Sequence, residues 1–185
     1  MSYSRVFVCV AALLAGGPAF AANWSVDYAK SRLGFTVLWS KEPFSAGFKT
    51  WRADISFDPA DLAHAHADVT VDLGSEVSDE PEFDEGLRGP LGFQTSQFPS
   101  ARFVTTAFTH KAGNDYVATG KLSLKGVTRE VTLPFTLTIQ GNQAHLKGSA
   151  VVIRTEYAVG TGTWAAPSPV AHEVTVNIDI VATKS

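Results

Sequence analysis

Between Arg32 and Ala182, apolar residues recur two positions apart in run after run, and turn-forming residues break the beat at short intervals. In "SRLGFTVLW" the residues Leu33, Phe35, Val37 and Trp39 share one face; in "WRADISFD" Trp51, Ala53, Ile55 and Phe57 do so, with Arg52, Asp54 and Ser56 opposite. "ADVTVDL", "NDYVATGKLSL", "REVTLPFTLTI", "AHLKGSAVVIR" and "HEVTVNIDIVA" repeat the pattern. In "ARFVTTAFT" the spacing instead sets Phe103 and Phe108 on opposite faces. A period of two is the mark of strands with one dry and one wet face. About eight such strands are predicted, separated by signals such as Asp58-Pro59, Gly113-Asn114-Asp115 and Gly141-Asn142.

Ser75 to Ala101 interrupts the alternation. It is acidic at its start and rich in Gly and Pro, and too long for a plain hairpin loop. A short helix around Glu82 to Arg88 is expected there, followed by an ordered crossing in which Leu87 to Phe98 forms a lid over one barrel mouth. Antiparallel strands in this number make a sandwich or a closed barrel. Nearly every strand carries Lys, Arg, Asp, Glu or Thr on one face, which excludes a barrel with an apolar outer band in lipid. The wet face is outside and the protein is expected not to be membrane-integral.

Residues 1–21 stand apart. Arg5, an apolar run from Val6 and Ala19-Phe20-Ala21 form the pattern of a secretory signal peptide, with cleavage expected after Ala21, or one residue later after Ala22. The lone Cys9 falls in that segment, so the mature chain has neither disulfide nor thiolate metal site. Export without cysteine suits a periplasm. Residues 22–185 remain as a single domain. Loss of Arg5 takes the formal charge from −3 to −4, which with no Lys/Arg cluster argues against nucleic acid as a partner.

The hairpin "GKLSLKGVTREVTLPFTL" resembles the G-x-L-S/T-L/I-K-G-V-T stretch of the YceI-like family of periplasmic polyisoprenoid-binding proteins. "WSVDYAKSRLGF", "FDEGLRGPLGFQTSQFPSARF", "IRTEYAVGTGTW" and "HEVTVNIDIVA" are similar to its other motifs, in the same order, over Trp24 to Ala182. Three positions depart from the pattern: Lys30 stands for a His, Phe83 for an Arg and Gln94 for an Asp. The resemblance implies a lipocalin-like, all-β antiparallel eight-stranded barrel holding an isoprenoid lipid, such as a polyprenyl phosphate or ubiquinone, non-covalently and with no other cofactor. Tyr116-x-Ala118-x-Gly120-x-Leu122 and Leu133-Pro134-Phe135-x-Leu137 resemble a branch of the family that occurs beside or fused to cytochrome b561-type membrane haem proteins, which implies such a protein as a partner.

Periodicity alone does not distinguish a filled core from a cavity wall. The resemblance implies that Phe35, Val37, Trp51, Ile55, Phe57, Leu122, Leu124, Leu133, Phe135, Ile153 and Tyr157 line a tunnel. Arg154, in "IRTEYAVG" with Glu156 and Tyr157, is the candidate for a phosphate head group, its alternative being an ion pair at a strand end. His64 and His66 lie two apart with Asp68 continuing that side, a weak pattern for a metal. The acids Asp79 to Glu85 lack the spacing of a calcium loop and read as the start of a helix. With no Gly-x-Ser-x-Gly, no His-Glu-x-x-His and no phosphate-cradling loop, the chain is expected not to be an enzyme.

Overall fold

The alternating runs form eleven antiparallel strand segments in a computed structural model that describes residues 22–185. The expected signal segment and its cleavage after Ala21 lie outside the described residues. In order the strands are β1 (Asn23–Val26), β2 (Arg32–Trp39), β3 (Glu42–Phe48), β4 (Trp51–Ser56), β5 (His66–Asp72), β6 (Glu76–Val77), β7 (Ser100–Ala112), β8 (Asp115–Leu124), β9 (Val127–Gln140), β10 (Gln143–Ile153) and β11 (Val170–Lys184). One α-helix, α1 (Pro81–Arg88), lies between β6 and β7.

These segments make eight staves. β1 and β2 share one edge of β11, where Val26 faces Ala182 and, after the interruption, Arg32 faces Asp179. Ser31 bridges that interruption, its hydroxyl donating to the Asp27 carbonyl at 2.7 Å and accepting from the Val181 amide at 3.0 Å. β3 and β4 likewise form one stave, and β5 and β6 another, because β2–β3 and β1–β4 pair on one side and β3–β6 and β4–β5 on the other. From β7 to β11 each strand pairs with the next, and β11 meets β1 and β2, so the ring closes. Pairing joins every seam of the ring, although the β9–β10 ladder runs only from Gln140 opposite Gln143 to Phe135 opposite Gly148 and the β5–β7 ladder takes in only Ser100 to Val104 of β7. The all-β, lipocalin-like barrel is therefore the observed architecture.

A bulge resolves the face of β7. Thr105 faces Gly120 and Ala107 faces Thr119, so Thr106 is the extra residue. One additional residue inverts the alternation, and Phe103 and Phe108 both point inward.

The two ends are built differently. At the end carrying the β7–β8 and β9–β10 hairpins, Phe57, Phe108, Tyr116 and Phe135 form an aromatic plug; Phe57 meets Phe108 at 5.2 Å and Tyr116 at 5.6 Å between ring centroids. Trp24 joins it and donates its indole N–H to the Phe57 carbonyl at 2.9 Å. At the opposite end lie α1, the β8–β9 hairpin and the segment between β10 and β11, which contains short 3-10 turns at Arg154–Tyr157 and Gly162–Trp164. Pro81 at the first turn, Glu82 and Asp84 near the positive end of the dipole and Arg88 in the last turn suit α1 to its place.

Candidate functional site

The inward faces enclose space as well as packing. One cavity of about 220 Å³ lies toward the aromatic plug, lined by Trp51, Ile55, Phe57, Leu122, Leu133 and Phe135 among others. A second, of about 160 Å³, lies under α1, lined by Phe35, Val37, Leu122 and Leu124. Leu33, Val71, Ala101, Leu122, Val152 and Val176 belong to both walls, so the two are lobes meeting at an apolar waist.

Two expected lining residues lie elsewhere. Along β10 the even-numbered residues Ala144, Leu146, Ala150 and Val152 face inward, and Val151 is 61% exposed. Ile153 keeps the outward parity of Val151, and Val152 takes the wall position. Tyr157 is buried, but in the packed core with Phe35 and Leu73 rather than on either wall. Burial pushes its phenol pKa upward, with the Arg129 charge opposing.

The head-group assignment for Arg154 requires correction. Its side chain lies at the second lobe, 6% exposed, with every N–H already used. Nε donates to Ala171 O at 2.9 Å, Nη1 to Val159 O at 3.2 Å and Gly160 O at 3.0 Å, and Nη2 to Ala166 O at 3.0 Å and Val170 O at 2.9 Å. No N–H is left over for a phosphate, and among the described residues the guanidinium pairs with no carboxylate. It gathers carbonyls of the strap between β10 and β11 and of the first two residues of β11. Gly160, at φ +73°, permits this: a Cβ there would stand 1.9 Å from Nη1.

Lys125, in the "KGVT" of the hairpin motif, plays the same part. It occupies a tight turn with Gly126, both at positive φ (+48° and +77°), the geometry of a type I′ hairpin. Its buried Nζ donates to Pro90 O at 3.0 Å, Gly92 O at 2.6 Å and Ala158 O at 2.9 Å. Burial lowers its pKa. A hairpin, the crossing after α1 and the strap thereby meet on one ammonium. The signal for this was faint: a Lys-Gly turn in a motif otherwise made of alternation.

The sequence departures fall at this capped end or on the surface. Phe83, in place of the family's Arg, meets Trp39 at 4.3 Å and Phe44 at 5.2 Å between centroids and lines the second lobe with Leu87, Phe93 and Trp164. Lys30 pairs with Asp27 at 3.0 Å. Gln94, at φ +55°, donates its amide to Gln97 Oε1 at 2.7 Å. The His pattern also resolves into separate contacts: His64 Nδ1 lies 2.7 Å from Asp61 Oδ2, and Asp68 pairs with Arg102. Among the described residues no three His, Cys, Asp or Glu side chains come together as a metal would require.

A closed antiparallel barrel of eight staves around an apolar, two-lobed interior defines a protein of the lipocalin-like class. The YceI-like domain matches residues 24–182, and the chain belongs to the YceI-like family. A UPF0312 protein of Photorhabdus laumondii is 33% identical over 134 residues, 71% of this chain and 69% of the relative. The corresponding match in Shewanella denitrificans is 32% identical over 112 residues, 60% of this chain and only 56% of that protein. Among solved structures, Burkholderia cenocepacia BcnA superposes with a TM-score of 0.83 at 34% identity, covering 86% of this chain and all of BcnA. A polyisoprenoid binding domain from Saccharophagus degradans, implicated in plant cell wall breakdown, shares the fold with a TM-score of 0.70 at 16% identity, over 89% of this chain and 99% of that one.

Proposed function

We propose that the protein is a periplasmic carrier that binds the tail of an isoprenoid lipid in the two-lobed cavity, without chemical reaction. The observation that carries the reading is the apolar wall running through both lobes and past their common waist. Family membership and the polyisoprenoid-binding relative of the same fold support it, and the N-terminal segment supports the location. A tail burying several hundred Å² gains roughly 10 kcal/mol at about 25 cal/mol per Å². Ordering a flexible chain costs several kcal/mol of that, leaving affinity in the micromolar range or tighter without a specific head-group bond.

The head group we assign is uncharged, as in a quinone. The two buried cations near the second lobe have spent their donors on backbone carbonyls, and Arg102, at the wall of the first, is paired with Asp68. Native mass spectrometry of the exported protein, followed by solvent extraction, tests both statements. A stoichiometric isoprenoid quinone is expected. A polyprenyl phosphate would refute the head-group assignment, and a ligand-free mass that stays unchanged on addition of either lipid would refute the carrier.

A further inference from the structure

α1 packs on the barrel through Phe83 and Leu87, and it is tied to β6 by charges that do not balance. Glu76, on β6, has a side chain with no exposed surface, and among the described residues neither carboxylate oxygen has a hydrogen-bond partner. Both charged groups bearing on it come from α1: Arg88, whose Nη2 lies 3.8 Å from Oε2, and Asp84. β3 contributes only Phe48, directly opposite. Arg88 also donates to the Glu76 carbonyl and lies 3.9 Å from Asp84, while its own buried Nε has no partner among the described residues. Asp84 is committed elsewhere, accepting from the Ser78 amide at 3.0 Å and the Ser78 hydroxyl at 2.6 Å. Two acids thus share one partly exposed arginine at the root of the helix that lays Phe83 and Leu87 over the second lobe.

We infer that the Glu76–Asp84–Arg88 cluster is a proton-operated latch, closing α1 over the cavity when Glu76 is neutral and releasing it when Glu76 ionises. The occupant of that cavity is taken from the carrier reading above, but the latch itself is a property of the protein alone. Burial, then the charge of Asp84, push Glu76 from 4.5 up to about 7 against the pull of Arg88. Burial would also raise Asp84, yet the Ser78 bonds and Arg88 outweigh it and hold that carboxyl below its ordinary value. The closed form therefore binds a proton that the open form releases. Closure is fully favoured below about pH 4.5 and loses that advantage as pH rises to about 7. Phe83 and Leu87 swing away with the helix, so release opens the second lobe directly.

The test is hydrogen exchange of the α1 amides in the mature protein between pH 5 and 8, expressed as protection factors. With Glu76 at about 7 closed and 4.5 open, protection should fall roughly 70-fold across that range, and Glu76→Gln should flatten the profile at its protected level. The Glu76 carboxyl carbon shift, followed by NMR in the unaltered protein, should titrate with the same midpoint and requires no variant. Protection independent of pH, an unchanged slope in E76Q, or a Glu76 midpoint below 5 would each overturn the latch. Stopped-flow uptake of ubiquinone-2 is measured alongside. A latch that opens on schedule with no quinone uptake stands, and the ligand reading fails instead.

Discussion

Replacing Arg154 with methionine separates the two roles an arginine can have at this end of the barrel. The side chain keeps its length, but five buried donors vanish and the carbonyls of Val159, Gly160, Ala166, Val170 and Ala171 lose their partners. At about 1.5–3 kcal/mol per charge-assisted bond, five would sum to roughly 7–15 kcal/mol. That sum is not realised, because a strap freed from its anchor can loosen and hydrate its carbonyls, and because a buried charge is also removed. The expected loss is about 3–5 kcal/mol, the size of breaking a buried charged network, against a total of about 5–15 for a domain of ordinary stability. Urea unfolding reads this as a midpoint lowered by about 2 M at unchanged slope. Arg154→Lys, with three donors for five acceptors, should recover part of the loss. A variant that unfolds within about 1 kcal/mol of the parent while losing affinity for an isoprenoid phosphate would show the arginine to be a head-group residue after all.

Gly160→Ala should phenocopy Arg154→Met, since its Cβ would occupy the guanidinium position; in urea the two losses should be far from additive. Lys125→Met should cost about 2–4 kcal/mol, through three carbonyls left without a donor, and raise amide exchange at Leu91, Gly92 and around 158 together. Glu76→Gln should stabilise the protein by up to about 3 kcal/mol at pH 8 and by little at pH 4.5, because a carboxyl raised from 4.5 to about 7 destabilises the fold only as pH climbs through that interval. Ala118→Trp projects into the first lobe from a buried wall position; titration with ubiquinones of graded length should show long tails weakened more than short ones, and equal weakening of both would contradict tail-first occupancy.

Alternation carried the wall of the barrel into view because burial on a strand is a two-valued property repeated every second residue. It failed where one residue shifts the phase. The bulge at Thr106 brings Phe103 and Phe108 to one side, and no residue type in "VTTA" announces it. At the end of β10 three β-branched residues stand in a row, and only the register sets Val152 facing in between Val151 and Ile153. β3 went unseen because Pro43 and Gly47 blur its pattern, although Phe44 and Phe48 both reach the second lobe. The largest silence concerned cations. Lys125 and Arg154 bond to backbone carbonyls, and carbonyls leave no trace in side-chain chemistry, so both looked available for solvent or ligand.

That pattern of bonding explains how a barrel can keep a cavity without collapsing onto it. At roughly 24 cal/mol per Å³, an interior space of 220 Å³ costs about 5 kcal/mol relative to a filled core, and the space under α1 adds to that. An aromatic plug fills the far end with buried rings in contact. At the near end no sheet remains to satisfy the backbone, and apolar packing alone would leave the carbonyls of the strap and crossing desolvated without partners. Two cations with eight N–H donors between them solve this locally. The rim they create is tied by eight hydrogen bonds, and its two cations have no N–H left for an incoming anion. α1 is attached differently, through a carboxylate pair and one arginine. The fixed rim and the titratable helix divide two tasks: one keeps the cavity open as a shape, while the other decides when it communicates with water.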